Sequence, residues 1–242
     1  MPNGDYMKKL NVIIACCLLA GNSFAFDPTA LDKAKAIGEC ENCDLSGGSL
    51  VNLDMSSLKL KESKFNDSDL SGAKFESTNL DEAEFNNANL TNVNFKDAYL
   101  DNARFTNANL TKTDFRKAVL SKSRFKNAKI EKTNFIGSKL DKADFENAVI
   151  SEANFSYADL SDVSFQSMNL SKSIFRGANL KGVLLKGANL TKSDFSGTDL
   201  SETNMDVLFP NASFQYRVTV RITCKKLEAE GAIFDSNTKC AK

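Results

Sequence analysis

Every fifth residue of this chain from Leu45 to Met205 is apolar, a run of 33 consecutive centres. The residue two places before each centre is usually small or apolar, as in Ala73 before Phe75, Ala88 before Leu90 and Ala118 before Leu120. On an α-helix a five-residue step turns the apolar position by about 140°, so no continuous buried stripe forms. On a flat strand an odd step sends successive centres to opposite faces. Taken together, the small residue and the centre give inward spacings that alternate between two and three. The two-residue step is strand-like, and the three-residue step demands a corner that swings the next pair back inward. The chain is therefore predicted to coil around its own core as a repeat solenoid.

A second pattern bears on the number of sides. From residue 65 to residue 200 the centres alternate aromatic and aliphatic (Phe65, Leu70, Phe75, Leu80), with Ile130 and Ile150 as aliphatic variants and Leu185 alone in an aromatic slot. Three repeats per coil would set each Phe over a Leu. Four would stack Phe on Phe along two opposite walls and aliphatic on aliphatic along the other two, at constant volume. Close packing favours four, hence 20 residues per coil.

Segments such as Ala108-Asn109-Leu110-Thr111-Lys112, Ala158-Asp159-Leu160-Ser161-Asp162 and Ala188-Asn189-Leu190-Thr191-Lys192 resemble the A-(D/N)-L-X-X motif of pentapeptide-repeat proteins. The resemblance implies an all-β solenoid: a right-handed quadrilateral β-helix of about eight coils, roughly 40 Å long at the ~4.8 Å spacing of paired strands. It places the centre and the small residue inward and the other three positions outward. Fold resemblance leaves function open.

The ends carry separate signals. Met7, Lys8, Lys9, the apolar run from Leu10 to Ala20 and Ser23-Phe24-Ala25 read as a secretory signal over residues 1–25, with periplasmic or secreted location expected and no transmembrane segment after cleavage. A lipoprotein site at Cys16 is the rival reading, but the apolar run continues beyond it. Asp27-Pro28 opens a short helical cap over 26–39 that Gly38 would stop. The repeat is expected over 40–207. In the segment 208–242, Phe214, Tyr216, Val218, Val220 and Ile222 alternate with polar residues, the pattern of a conventional half-buried strand, and Cys224 to Glu230 would form a short helix. This segment is either a cap or a homodimerisation surface.

Signal removal leaves Cys40, Cys43, Cys224 and Cys240. Disulfide Cα atoms lie within ~7 Å, and a rod of that length holds the two pairs too far apart to cross-link, so Cys40 with Cys43 and Cys224 with Cys240 is the expected pairing. A redox or zinc role for the CxxC spacing lacks both a βαβ context and further ligands within reach.

The chain has no histidine, which removes the commonest general base, the Ser-His and Cys-His nucleophile pairs and most zinc sites. Carboxylate groups such as Asp141, Asp144 and Glu146 arise readily where outward slots are polar by construction. No catalytic residue, metal site or cofactor is expected, and the chain is read as a non-enzyme.

Charge, in contrast, is segregated. Residues 62–101 hold nine acids and three bases, residues 102–139 ten bases and two acids, and residues 140–162 six acids and one base. The middle is a basic collar whose members Lys112, Arg116, Lys117, Lys122, Arg124, Lys126, Lys129 and Lys132 are candidates to bind an acidic protein or an anionic envelope polymer. Solvated charged faces are common in repeats and form the bland counterpart of this reading. An apolar patch of Ile136, Tyr157 and Ile174, with Leu184 on another side, is a second candidate surface. The expected function is a non-catalytic exported interaction scaffold. The alternative follows from the resemblance: some pentapeptide-repeat proteins mimic B-DNA and bind DNA gyrase, a role open to this chain only if it stays in the cytosol. Specific nucleic-acid binding is not expected, because no aromatics interleave with the outward bases.

Overall fold

The computed structural model describes residues 38–200 and, beyond them, the backbone of four two-residue strands between 213 and 240. The expected signal segment, the helix at Asp27-Pro28 and Cys224 lie outside the described residues.

Wall residues pair in parallel with the residue 20 places on, in ladders such as Lys64↔Glu84, Glu84↔Arg104, Arg104↔Arg124 and Arg124↔Asp144. A period of 20 built from five-residue repeats makes four walls per coil, so the three-sided alternative is excluded. Walls are so short that most pairs stand as isolated bridges; among the described residues only Lys129–Glu131 (β1) and Val149–Ser151 (β2) extend to three residues, with Ile130 opposite Ile150. The coil closes its backbone hydrogen bonds on its neighbours. Leu70 N donates to Asn89 O at 2.9 Å, and Asn89 N donates back to Ser68 O at 2.9 Å. Backbone groups of an internal coil are thus satisfied from the coils on both sides, the condition for burying so much extended chain.

Corners follow one plan. Ala73 N donates to Leu70 O at 2.9 Å, and the third turn residue, Gly72, has φ +71°. A positive φ at that position is the mark of a type II turn and favours Gly or Asn. The same left-handed position recurs at residue numbers ending in 2 or 7 throughout the coil, in most cases on non-glycine residues.

Inside, Phe rings stack 20 residues apart. Phe85–Phe105 centroids lie 5.2 Å apart at 4°, and Phe95–Phe115 centroids 5.0 Å apart at 4°. The two columns meet edge to face, as at Phe105–Phe115 with 5.6 Å and 83°. Offset stacks and T-contacts are the arrangements ring quadrupoles favour, and they add about 0.5–1.5 kcal/mol per pair to the burial itself. One column closes with Phe165, tilted 34° against Phe145 where Leu185 replaces the next ring; the other runs on to Phe195, stacked on Phe175 at 7°. Where Ser or Thr takes the small inward slot, its buried hydroxyl generally reaches a carbonyl, in many cases of the preceding coil, as in Thr113 Oγ1 to Leu90 O at 2.8 Å and Thr133 Oγ1 to Leu110 O at 2.7 Å; Ser173 Oγ is the exception among the described residues.

The strand expected from Phe214 to Ile222 is not a single element. Asp199–Leu200 (β3), Thr219–Val220 (β5) and Lys239–Cys240 (β7) form one parallel sheet in the order β3-β5-β7, while Ser213–Phe214 (β4) pairs with Ile233–Phe234 (β6) in another. Both pairings keep the 20-residue offset. The alternating run is therefore divided between two sheets. Period-two alternation reports only that side chains change face, and the open edge of the last coil offers parallel partners that the sequence pattern does not name.

Candidate functional site

The eight collar residues encircle the rod rather than forming one face. Lys112 and Lys132 share one corner column, Arg116 and Lys117 stand at the next corner, Lys122 at a third and Lys126 at the fourth, with Arg124 and Lys129 on walls. Three of the eight are locally neutralised. Arg116 Nη2 lies 2.6 Å from Asp114, Lys126 Nζ 2.9 Å from Glu146 and Lys129 Nζ 3.1 Å from Glu131. The bond to Glu146 holds the Lys126 ammonium above the usual lysine range. Hydrogen bonding to Lys129, reinforced by the charges of Lys129, Lys132 and Lys112, holds the Glu131 carboxyl below the usual carboxylate range. Among the described residues Lys112, Lys117, Lys122, Arg124 and Lys132 enter no ion pair, and all five are solvent-exposed.

The stacking read from the period is present: Arg104 and Arg124 are bridge partners, and Lys122 N donates to Asp141 O, the residue before Lys142. Four of the five unpaired cations, Lys112, Lys117, Lys122 and Lys132, also occupy left-handed turn positions with φ between 54° and 59°. For a residue with a Cβ that conformation costs about 1 kcal/mol or more.

On the wall behind Phe65, Phe85, Phe105 and Phe125, charge changes sign along the rod. The wall column reads Lys64, Glu84, Arg104, Arg124, Asp144, and the corner column before it reads Glu62, Glu82, Asn102, Lys122, Lys142. At its acidic end an open hollow of about 240 Å³ is lined by Asn42, Glu62, Lys64, Glu82, Glu84, Asn102 and Arg104. Lys61 reaches both Glu62 and Glu82 at 3.4 Å, and Arg104 reaches Glu84 at 3.3 Å. Around the corner, burial pushes the Asp81 carboxyl up, with the charges of Asp101 and Glu82 adding to the effect and a hydrogen bond from the Asp101 backbone opposing it. This sign change within one face was not read from the linear charge bands. Writing the sequence in rows of 20 would have revealed it.

Of the apolar candidates, Ile136, Tyr157 and Ile174 do flank successive rings of one column, Phe135, Phe155 and Phe175. Ile136 and Ile174 are half-buried, and Tyr157 is 65% exposed with its ring over Gly177, where a Cβ would lie 2.8 Å from Cε1. Leu184 belongs to the other Phe column's wall, opposite Ser164. Sequence reading missed Tyr99, paired with Val119, and Val149, paired with Lys129; both Tyr99 and Val149 are more than half exposed. Their signal was an apolar residue in an outward slot.

Cys40 and Cys43 are buried side by side, their Cα atoms 5.6 Å apart, within the range a disulfide spans. Cys240 lies in β7, with its backbone opposite Val220. Among the described residues no group of three or more metal-ligating side chains converges and no helix is long and apolar enough to cross a membrane.

Comparison with known families matches a profile described as "Pentapeptide repeat region" to residues 80–150, 98–175 and 138–215, and one described as "Pentapeptide repeats (8 copies)" to residues 39–76. Curated proteins yield no match. Similar solved structures include HetL, a pentapeptide repeat protein involved in heterocyst differentiation regulation from the cyanobacterium Nostoc sp. strain PCC 7120, at 22% identity over 87% of this chain and 90% of that one, with a TM-score of 0.44. QnrB1, a plasmid-mediated fluoroquinolone resistance protein, aligns at 21% identity over 81% of this chain and 91% of its own, with a TM-score of 0.35. A thylakoid-lumen pentapeptide repeat protein of Arabidopsis thaliana aligns at 28% identity over 39% of this chain and 63% of its own, with a TM-score of 0.30.

Proposed function

Because the chain belongs to the pentapeptide repeat family, whose fold is a right-handed quadrilateral β-helix, we propose that it is a non-catalytic exported scaffold whose basic collar holds an anionic partner. The observation that carries this reading is the set of unpaired cations at strained corners. Among the described residues Lys112, Lys117 and Lys132 enter no ion pair, and they sit where Asn or Gly would serve the backbone better, so folding does not account for them. An acidic protein surface or an envelope polyanion would. The signal pattern of residues 1–25 supports export to the periplasm or beyond, and a Cys40–Cys43 disulfide suits an oxidising compartment. The absence of histidine and the polar-by-design outward slots support the non-enzymatic part.

A DNA-mimicking, gyrase-binding rod is the alternative, but it requires a continuous acidic surface, and the basic collar interrupts one.

The test measures binding of the mature protein to poly-L-glutamate and to polyphosphate across salt concentrations. K112E/K117E/K132E should weaken both by tenfold or more and flatten the salt dependence. Equal affinity for wild type and variant refutes the collar, and recovery of the full-length protein from the cytosol with residues 1–25 intact refutes export.

A further inference from the structure

We propose that two copies of this chain pair side by side and antiparallel through the wall that carries Lys64, Glu84, Arg104, Arg124 and Asp144, together with its Glu62–Lys142 corner. The order of charges along two adjacent columns favours this pairing. Parallel bridges at a constant 20-residue offset keep these columns in register from coil to coil between residues 64 and 144, so two such walls can be matched level by level.

A two-fold axis lying across the wall at the coil of Asn102 and Arg104 leaves each column facing its own copy and reverses the order of coils. Glu82 then faces Lys122 of the second copy, and Glu62 faces Lys142. In the wall column Glu84 faces Arg124, and Lys64 faces Asp144. All four are opposite-charge pairs, and the symmetry makes each of them twice. At the axis Asn102 is neutral, and Arg104 is already tied to Glu84 of its own chain at 3.3 Å. The hollow of about 240 Å³ at the acidic end, lined by Glu62, Glu82 and Glu84 among others, lies where the Lys122 and Arg124 side chains of the second copy arrive. Those two side chains, and Lys142, enter no ion pair in their own chain among the described residues.

Competing arrangements fail on charge. A two-fold axis along the rod gives a parallel pair in which the corner column of one copy meets the wall column of the other at the same level, setting Glu82 against Glu84 and Lys122 against Arg124. Sliding the antiparallel pair by one coil sets either Arg104 against Arg124 and Glu84 against Asp144, or Lys64 against Arg124 and Asp44 against Asp144. Like charges placed opposite one another across an interface act against that register. Each competitor offsets its opposite-charge pairs, such as Glu62 with Lys64 in the parallel pair or Glu84 with Arg104 in one of the slides, by at least as many like-charge pairs; the antiparallel register centred on Arg104 sets opposite charges together at every level off the axis between residues 62 and 144.

This pairing uses Lys122 and Arg124 of the collar but none of Lys112, Lys117 and Lys132, the cations on two other corners that carry the polyanion reading, and is read out by self-association alone, so the two proposals fail separately. The mature protein is examined by sedimentation velocity at about 50 mM and about 500 mM salt, between which the screening length falls severalfold. Wild type should sediment as a dimer at low salt and shift to monomer at high salt. E82K/E84K alone and K122E/R124E alone should each be monomeric at both, because each sets like charges against one another in the homodimer. Mixed, the two variants should recover a heterodimer, with acidic coil on basic coil in both halves; far-UV circular dichroism of each verifies the fold. Monomeric wild type at low salt overturns the proposal. So does a dimer that persists in both variants, which would place association elsewhere on the chain, or failure of two folded variants to combine.

Discussion

Two corner columns of the rod meet the same backbone demand with opposite residues. At one, Asn87, Asn107 and Asn127 occupy the left-handed position with φ of 57° to 60°, and their amides form a ladder: Asn107 Nδ2 donates to Asn87 Oδ1 at 3.0 Å, and Asn127 Nδ2 donates to Asn107 Oδ1 at 3.1 Å. Asn87 in turn donates to Asp67 at 2.9 Å. Asn tolerates that conformation, and its amide joins neighbouring coils. At another corner, Lys112 and Lys132 hold φ of 59° and 54° with no ladder between them. A third corner carries Lys117 and Tyr157 with glycines at 137, 177 and 197 in the same column, so that the Tyr157 ring lies over the bare Gly177. The fold accepts either solution because the buried core beneath all the corners is the same. The contrast separates corners whose residues serve the coil from corners whose residues face outward for another purpose.

Three substitutions would break or sharpen that contrast. The largest effect is expected for Gly177→Ala, which puts a Cβ at φ +61° and into the Tyr157 ring. It should lower stability by about 1–3 kcal/mol in chemical denaturation. Part of that loss should disappear when Tyr157→Ala is combined with it, and full additivity would show that the ring contact contributes nothing. Next, Asn107→Ala removes both of its ladder bonds and the Asn preference together, for about 1–2 kcal/mol. The same change at Asn147, whose amide reaches only Glu146 at 3.5 Å, should cost less. Smallest is the reverse experiment. Lys112→Asn should raise stability by up to about 1 kcal/mol, since it suits the left-handed turn and stands next to Asn92 in its column. A loss of stability there would mean that Lys112 serves the coil after all, and the case for an outward role would weaken.

Legibility differed sharply between core and surface. The stacking of Phe65 on Phe85 and Phe75 on Phe95 was readable because a repeated centre of alternating volume has few ways to close-pack. The tail from Phe214 to Ile222 misled because alternation there is as compatible with two short walls of a coil as with one strand. The collar is legible as ten bases in the linear sequence, but only the coil register shows which corner each candidate occupies and that three of the eight are held by neighbouring carboxylates. The exposed Tyr99 and Val149 lie on the aliphatic walls, where an apolar residue in an outward slot is all that marks them.

What the sequence by itself determined is the inside: a five-residue period is a local property, and it dictates which side chains turn inward whatever the coils do next. Only the tertiary structure decided the outside. A charge 20 residues away is remote along the chain and adjacent in space, so whether Arg124 meets Asp144, whether Lys112 stands free, and whether a wall changes sign along its length depend on the coil register, which couples residues that no local pattern connects.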